Sequence, residues 1–325
     1  MREEQFSVVV PALNEEEHIE KLITSAHAQD FRPIELLIID DGSTDSTIKI
    51  VRSLSDALNS SDFAVVLLET KNFGSFKGPS AARNIGIRNS HGSHILLMDA
   101  DCVLSQKNIL SELACSLRSN SIVGYKDIAL IDNWLEYNQM LDEGNPPYAT
   151  SAKWSHLAFR REILENVPFD PQLGVGEDVD FLQKLRVTGS FNPAMVKVTG
   201  HIHFPHTFDE YRLQKFWAGR TQWLFLRKHQ DVGSTLSAFS RTIPTVSLIL
   251  SAVLSLFDVY VGIAFFVFWI IIVVCSFIFS VGKSLSRFTY MVFRFTYGSF
   301  WYSIGLLKGY YDLKIRGVIN PSRGK

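Results

Sequence analysis

Residues 34–47 read IELLIIDDGSTDST and contain the strongest indication of the fold class. The run begins with aliphatic residues almost without interruption, which is typical of a strand buried on both faces of a parallel sheet. The Asp-Gly and Ser/Thr residues after it favour a tight turn and the start of a helix. A buried strand that leads through a polar turn into a helix indicates an α/β fold.

The same pattern occurs before and after this segment. Strands are predicted at 6–13, 64–69 and 94–100, and helices from Asn14 onward, from the turn at 41–45 to about Leu58, and over 78–90. Strands that alternate with helices predict a mostly parallel, Rossmann-like sheet with right-handed crossovers. Ligands of such sheets bind outside the carboxyl ends of the strands, so side chains at those ends are the first candidates for a functional site.

Composition excludes several classes of protein. The chain has 325 residues and a net charge of −1, so no overall field attracts nucleic acid and we expect no nucleic-acid partner. Cys102, Cys115 and Cys275 are too scattered for a disulfide framework or a zinc site, and they fit a reducing compartment. We expect no signal peptide, because the apolar run at 6–10 is short and ends at Pro11.

Two acidic pairs follow predicted strands. Asp40 and Asp41 either form an ordinary turn or accept hydrogen bonds from a nucleotide base and its ribose. Asp99 and Asp101 lie one residue apart at the end of an apolar strand, where two carboxylates repel each other. A divalent cation, Mg²⁺ or Mn²⁺, would remove that repulsion and could bridge a substrate diphosphate. The alternative for this second pair is a solvated acidic loop.

A third acidic cluster opens a predicted helix at residues 176–181, GEDVDF. Helix capping explains part of this pattern, because acidic residues are favourable in the first turn of a helix. A carboxylate next to an acceptor hydroxyl could also serve as a general base. Glu177 and Asp178 are therefore candidates for a catalytic role, with capping as the alternative.

Basic side chains provide candidate contacts to phosphate or metal. Lys77 and Arg83 lie at the start of a predicted helix, a position that suits phosphate binding, although a plain surface helix is the alternative. His201, His203 and His206 crowd one short segment, so that one of them could be a metal ligand. In a strand, alternation would place His201 and His203 on the same face.

The segment 242–281 is almost entirely apolar and contains one charged residue, Asp258. At about 1.5 Å per residue, 259–281 is long enough to cross a hydrocarbon core of about 30 Å, whereas 242–257 is short for a full span. We favour a two-helix membrane hairpin that turns near Asp258, within a segment at 231–282. The alternatives are one crossing preceded by an interfacial helix, or a buried hairpin of a soluble protein.

Positive charge flanks this apolar segment on both sides, which places both flanks in the cytoplasm and favours an even number of crossings. We therefore expect a multi-pass protein of the cell membrane whose first domain is cytoplasmic. The tail at 283–325 is aromatic and basic and predicts a helix in the membrane interface, with a third crossing as the alternative. The flanking charges are Arg220, Arg227, Lys228 and Arg241 on one side, and Lys283, Arg287 and Arg294 on the other.

These segments together resemble the inverting family 2 glycosyltransferases of the GT-A fold. The resemblance covers residues 6 to about 230, which predicts a catalytic domain at 1–230. It depends on five elements in the same order and spacing: SVVVPALNEEEHIEKLITS, LLIIDDGSTDST, KGPSAARNIGI, ILLMDADC, and FDPQLGVGEDVDFLQKLRVTGS.

The resemblance implies roles for individual residues. Pro11, Glu15 and Asp40 would contact the nucleotide base and ribose, with Asp41 close by and Arg83 near the nucleotide or diphosphate. Asp99 and Asp101 match the family's Asp-x-Asp element, in which Asp101 is the more direct ligand of Mg²⁺ or Mn²⁺ and Asp99 also contacts the nucleotide sugar. Asp178 matches the catalytic base, with Glu177 positioning the acceptor. His201 fits the metal-contacting histidine best, and His203 remains an alternative.

The implied reaction is transfer of one sugar from a UDP- or GDP-sugar, with inversion, to a lipid-linked or cell-envelope glycan acceptor. The Gln-x-x-Arg-Trp element of polymerising relatives is absent, since its nearest match at 214–217 lacks the arginine. One alternative is a membrane-bound nucleotidyltransferase, although that class expects a Gly-rich basic loop where this chain has PALNEEE. A catalytically silent scaffold of the same fold is the alternative outside the enzymes.

Overall fold

The structure is a computed structural model with two compact units. It describes residues 4–74, 78–129, 133–142, 157–173, 176–189, 193–202, 205–229, 236, 239–279 and 284–314. The first unit comprises residues 1–130 and 147–203, and the second comprises 131–146 and 204–325. Each unit has hydrophobic clusters of its own.

The first unit contains an eight-stranded sheet in the order β3-β2-β1-β4-β7-β6-β8-β5. The strands are β1 Phe6–Ala12, β2 Ile34–Asp40, β3 Phe63–Glu69, β4 His94–Leu97, β5 Cys102–Val103, β6 Ile122–Ala129, β7 Leu157–Arg160 and β8 Ala194–Ile202. Pairings among β1 to β4, and that of β6 with β8, are parallel. The pairings β4–β7, β6–β7 and β5–β8 are antiparallel. The predicted α/β fold with a mostly parallel sheet is confirmed.

Helices cover both faces of this sheet. The helices of the first unit are α1 Ile19–His27, α2 Thr47–Leu58, α3 Pro79–Asn89, α4 Ile109–Leu117, α6 Arg161–Asn166 and α7 Glu177–Val187; α5 Trp134–Asp142 belongs to the second unit. Alternate residues of β1 point to opposite faces, so Val8 and Val10 pack with α1 and α4 while Val9 packs with α3, α6 and α7. The result is three layers, with the sheet in the middle.

The four parallel strands lie close to their predicted positions, but the first helix begins later than predicted. The N-terminal flank of α1 is His18 rather than Asn14. Asn14 has a φ of +57° and its side-chain oxygen accepts the backbone N–H of Thr44 at 2.8 Å. Asn14 is therefore occupied in linking two loops, which is why it does not cap the helix.

Parallel register brings the carboxyl ends of the strands to one level. Ala12 at the end of β1 is opposite Asp40 at the end of β2, and Asp40 is opposite Glu69 at the end of β3. The loops that carry Asp41 and Asp99 consequently leave the sheet at the same edge.

The second unit is helical. Besides α5 it contains α8 Phe208–His229, α9 Ile243–Leu254, α10 Val259–Ile278, α11 Leu285–Phe293, a π-helical segment Arg294–Gly298, and α12 Ser299–Lys314. Helix α8 packs along α12. A side chain at Gly305 or Gly309 would come within 2.0 Å of a backbone oxygen of α8, so these glycines permit the close approach of the two helices.

A helical pair turns at Asp258, as the sequence predicts. The Asp258 carboxylate accepts the N–H of Tyr260 at 2.8 Å and caps α10, and the Ser251 hydroxyl donates to the Gly262 carbonyl at 2.9 Å between the two helices. Within the described residues, α10 is the one helix long and apolar enough to cross a membrane, and α9 has only 12 residues. Among the flanking charges, Arg287 is buried and donates to the Asn138 carbonyl.

Candidate active site

Hydrogen bonds lock together the loops that follow β1 and β2. The Asn14 N–H donates to the Ser43 hydroxyl at 2.9 Å, and the Glu15 N–H donates to the Thr47 hydroxyl at 2.8 Å. Pro11, which is opposite Ile39 in the sheet, leads directly into this region. Pro11, Glu15 and Asp40, the three residues predicted to line a base and ribose, lie near the carboxyl ends of β1 and β2 or in the loop after β1, and that role stays a prediction.

Asp40 shapes the turn in which it lies. Its carboxylate is buried, with the residue 1% exposed, and accepts the N–H groups of Gly42 at 2.9 Å and Ser43 at 3.2 Å. Gly42 has a φ of +97°, a conformation that favours glycine. The hydrogen bonds expected from an ordinary turn are therefore present, and they fix the direction in which the loop leaves β2.

Asp41 connects the end of β2 to the start of α3. Its carboxylate accepts the Thr70 hydroxyl at 2.9 Å and the Gly78 N–H at 2.7 Å. This carboxylate therefore positions the glycine that precedes α3. The predicted phosphate contact Lys77 lies outside the described residues.

Arg83 on α3 joins the second and third acidic clusters. The residue is 2% exposed, and its guanidinium lies 3.0 Å from Asp99 Oδ1 and 3.2 Å from Glu177 Oε1. The guanidinium carbon also lies 5.6 Å from the centre of the Phe169 ring. The structure pairs the Arg83 side chain with two carboxylates, and its predicted contact with a nucleotide or diphosphate stays a prediction.

Other polar residues of α3 hold the segment that precedes α7, and sequence reasoning did not identify them. The Asn84 side chain and the Phe169 backbone exchange two hydrogen bonds, of 2.8 and 3.0 Å. The Ser80 hydroxyl donates to the Leu173 carbonyl at 2.9 Å. A signal for these contacts is present in the sequence, because Ser80 and Asn84 are polar residues on a helix that otherwise packs against the sheet.

Glu177 and Asp178 open α7 and lie in different environments. Gly176, with a φ of +74°, precedes them. Burial raises the pKa of Glu177 and the neighbouring Asp178 charge raises it further, while Arg83 opposes both effects. Asp178 is half-buried, and one of its oxygens accepts the N–H of Val179 at 2.8 Å. Of the two carboxylates, Asp178 is thus the one more open to a second reactant.

The comparisons with known proteins agree with this arrangement. The sequence model described as Glycosyl transferase family 2 matches residues 7–171, about half of the chain. This chain belongs to glycosyl transferase family 2. A glycosyltransferase of Haemophilus influenzae that is named as uncharacterized is 33% identical over 135 residues, which are 42% of this chain and 50% of that protein.

Two other proteins are similar to this chain at lower identity. Glycosyltransferase AglE of Haloferax volcanii is 27% identical over 227 residues, which are 66% of this chain and 72% of that protein. The crystal structure of Staphylococcus aureus TarS 1–349 in complex with UDP-GlcNAc is 21% identical, covers 65% of each chain and has a TM-score of 0.48. The chain spans half or less of the length of the first curated relatives that it matches.

Asp99 and Asp101 follow the end of β4 at Leu97. The Asp99 side chain is 31% exposed, and Asp101 is half-buried with the Cys102 thiol 3.6 Å from one of its oxygens. Arg83 already neutralises part of the repulsion that the sequence assigned to a cation. Two carboxylates that remain partly open are nevertheless a donor set that suits Mg²⁺ or Mn²⁺, which complete their coordination with substrate phosphates and water.

Of the three candidate histidines, the structure describes the side chain of His206. In the sheet His201 on β8 is opposite Val103 of β5, two residues after Asp101, but its side chain and all of His203 lie outside the described residues. His206 belongs to the second unit, where its ring nitrogen lies 3.2 Å from Glu210. Among the described side chains, no group of three or more His, Cys, Asp or Glu residues is arranged to hold a metal.

Proposed function

We propose that this family 2 member is a membrane-anchored, metal-dependent and inverting glycosyltransferase. It transfers a single sugar from a nucleotide-diphosphate sugar to a lipid-linked or cell-envelope glycan acceptor. The observation that carries this proposal is the Arg83 bridge, because one buried guanidinium holds the Asp-x-Asp element beside the carboxylates that open α7. Donor chemistry and acceptor chemistry need groups that are this close together.

The donor occupies the carboxyl ends of β1 and β2. There the base and ribose lie against Pro11, Glu15, Asp40 and Asp41, and either uridine or guanosine is compatible with these residues. Support comes from the locked loops after the two strands, since they form a preorganised edge at the position where parallel sheets bind nucleotides.

Asp99 and Asp101 would hold the divalent metal, together with the substrate phosphates and, by the resemblance, His201. When bound, a Mg²⁺ or Mn²⁺ ion at this position supplies positive charge that neutralises the diphosphate. The Arg83 contact with Asp99 fixes the orientation of one of these carboxylates before any substrate arrives.

Asp178 is the general base of the reaction. Its carboxylate accepts the proton of the acceptor hydroxyl while the acceptor oxygen forms a bond to the anomeric carbon. The bond from that carbon to the nucleoside diphosphate breaks on the opposite face, so the configuration inverts. Glu177 is held by Arg83 and positions the acceptor, which leaves the more exposed Asp178 for proton transfer.

Attachment to the membrane involves the α9–α10 pair, with the catalytic unit in the cytoplasm. The 18-residue apolar window in α10 is only 17% buried within the protein, and Leu256 and Phe257 at the turn are 82% and 85% exposed. Exposed apolar surface of this extent is characteristic of a segment that contacts lipid. An enzyme held at the bilayer encounters lipid-linked acceptors, which is why we favour this acceptor class.

A donor-consumption assay tests the proposal. The full chain in detergent micelles is incubated with UDP- or GDP-sugars and Mn²⁺ or Mg²⁺, with a lipid extract as acceptor. Release of nucleoside diphosphate is expected, whereas formation of pyrophosphate would indicate a nucleotidyltransferase. Asp178→Asn should abolish transfer while donor binding survives. Glu162→Gln, which changes an exposed carboxylate of the same unit, is the matched control and should retain activity; unchanged turnover in Asp178→Asn would contradict the mechanism.

A further inference from the structure

A cavity of about 350 Å³ lies in the second unit beside the π-helical segment. This volume is at the lower end of the range of about 300–1,000 Å³ that is typical of ligand pockets. It is open to the outside, since Ile249 and Phe300, which line it, are 53% and 43% exposed. Its lining residues are Thr245, Leu248, Ile249, Thr296, Tyr297 and Phe300.

Two polar groups of the lining, the hydroxyls of Thr245 and Thr296, are directed into the protein. The Thr245 hydroxyl donates to the Ser299 hydroxyl at 2.8 Å, and the Thr296 hydroxyl donates to the Val292 carbonyl at 2.8 Å. Both hydroxyl groups therefore donate their hydrogen bonds to other groups of the protein and not into the cavity. The cavity offers mainly carbon surface, so it suits a hydrocarbon and not a sugar or a nucleotide.

The backbone at this position is unusual. Residues Arg294–Gly298 form a π-helix between two α-helices, and π-helical segments are rare and occur frequently at functional sites. Three of the six lining residues, Thr296, Tyr297 and Phe300, come from this segment or the turn directly after it. The irregular turn therefore contributes one wall of the cavity, and α9 contributes the other.

The cavity is set back from the tip of the α9–α10 pair. Its residues on α9 lie within the first seven of the twelve residues of that helix, while the exposed turn at 255–258 follows the last residue. If the tip is inserted into a bilayer, the cavity lies near the head groups. Exposed Arg241 precedes α9. Its carbonyl accepts the Ser299 hydroxyl at 2.7 Å next to Phe300, and its guanidinium carbon lies 5.6 Å from the centre of the Tyr302 ring.

We propose that this cavity binds one hydrocarbon chain of a membrane lipid whose anionic phosphate head group lies beside Arg241. The cavity is too small for a helix of a partner protein, it opens beside a helix that is apolar on its exposed surface, and exposed Arg241 lies two residues before the start of α9. This inference rests on the membrane attachment in the proposed function, but it does not depend on sugar transfer.

Photolabelling tests the site. The full chain in detergent micelles is mixed with phosphatidic acid that carries a diazirine in one acyl chain, illuminated and digested. We expect labels on peptides that contain residues 245–249 and 296–300. Ile249→Trp, which fills the cavity entrance, should reduce this labelling at least fivefold. Val246→Trp is the matched control, since Val246 is 48% exposed on the same helix and does not line the cavity.

Two further measurements keep the outcome decisive. Ile249→Ala should retain labelling because it leaves the cavity open, and loss of labelling in both Ile249 variants would overturn the site. Equal labelling of Ile249→Trp and Val246→Trp, or labels confined to α10, would overturn it as well. A diazirine diacylglycerol, which lacks the phosphate, should label at least threefold less; equal labelling would contradict the role of Arg241.

The same samples separate this inference from the proposed function. Sugar transfer is assayed on each variant in parallel with labelling. Intact labelling of the cavity without any nucleotide-sugar turnover would contradict the proposed transferase and leave the lipid site standing. Uniform labelling together with normal turnover would contradict the lipid site alone.

Discussion

The Arg83 guanidinium lies 3.2 Å from the Glu177 carboxylate, although the two residues are 94 positions apart in the chain. Both side chains are almost fully buried, and Asp99 is the second partner of the same guanidinium. A buried cation between two carboxylates is strongly destabilising when one partner is removed, because the remaining charges lose their compensation. The position of α7 relative to the end of β4 therefore depends on Arg83.

Arg83→Met is expected to lower the free energy of unfolding by about 3–5 kcal/mol, because it leaves Glu177 as an uncompensated buried charge. Glu177→Gln removes that charge, so the double variant should lose less than the sum of the two single losses. Denaturant unfolding of the four proteins measures the coupling. Strictly additive losses would contradict the proposed pairing.

Arg83→Lys tests the geometry of the bridge separately from its charge. A lysine keeps the positive charge but lacks the planar fork that reaches two carboxylates at once. We expect a fall of about 10–100-fold in kcat/KM, in the range found when groups that orient metal ligands are replaced. Activity equal to that of the parent chain would mean that the orientation of Asp99 and Glu177 does not matter for turnover.

Much of the fold could be predicted from sequence because its signals are local. The valine- and isoleucine-rich runs at 6–12 and 34–40 can be satisfied only by strands that are buried on both faces. The partners of Arg83 could not be predicted in this way, since their pairing depends on how a helix and two distant loops pack. The prediction that Asn14 caps the first helix is wrong for a related reason. Asparagine is a good helix cap, but the Asn14 side chain accepts a hydrogen bond from Thr44, 30 residues away in the chain.

Asn84→Ala should lower the free energy of unfolding by about 1–3 kcal/mol, because it leaves the buried N–H and carbonyl of Phe169 without their partner. The segment before α7 should loosen as well, so that KM for the acceptor rises. Asn89→Ala is the matched control: Asn89 lies on the same helix, and its side chain donates only to the Ile85 carbonyl within that helix. Equal effects of the two substitutions would contradict a special role for Asn84.

The lowered pKa of Glu35 predicts how the stability of the fold depends on pH. Although burial alone would raise the pKa of Glu35, hydrogen bonds from Ser7, His91 and Gly92 together hold that pKa below its ordinary value. A carboxyl with a lower pKa in the folded chain stabilises the fold above its ordinary pKa, and this contribution is lost as the pH falls through the folded value. Glu35→Gln should therefore flatten the fall in Tm that occurs below about pH 4.3.

The control for this experiment is Glu20→Gln, which changes an exposed carboxylate on α1. Its Tm should follow the same pH curve as that of the parent chain. If Glu35→Gln also follows the parent curve at acidic pH, the hydrogen bonds to Glu35 do not contribute to acid sensitivity. A general loss of stability at every pH would instead indicate that the carboxylate is needed only as an acceptor.

Asp99 and Asp101 should differ in a way that separates metal binding from folding. A ligand that binds only the folded chain raises its stability in proportion to the logarithm of ligand concentration over Kd, so a nucleoside diphosphate with Mn²⁺ should raise the Tm of the parent chain. Asp101→Asn should lose the part of this rise that requires Mn²⁺ while its Tm without ligand changes little. Asp99→Asn should lose the same part and also lower the Tm without ligand, because Asp99 accepts a hydrogen bond from buried Arg83.

Because both substitutions remove one carboxylate charge from the same loop, each is the control for the other. An undiminished Mn²⁺ effect in Asp101→Asn would exclude this side chain as a metal ligand, and an unchanged Tm without ligand in Asp99→Asn would contradict a structural role for its contact with Arg83.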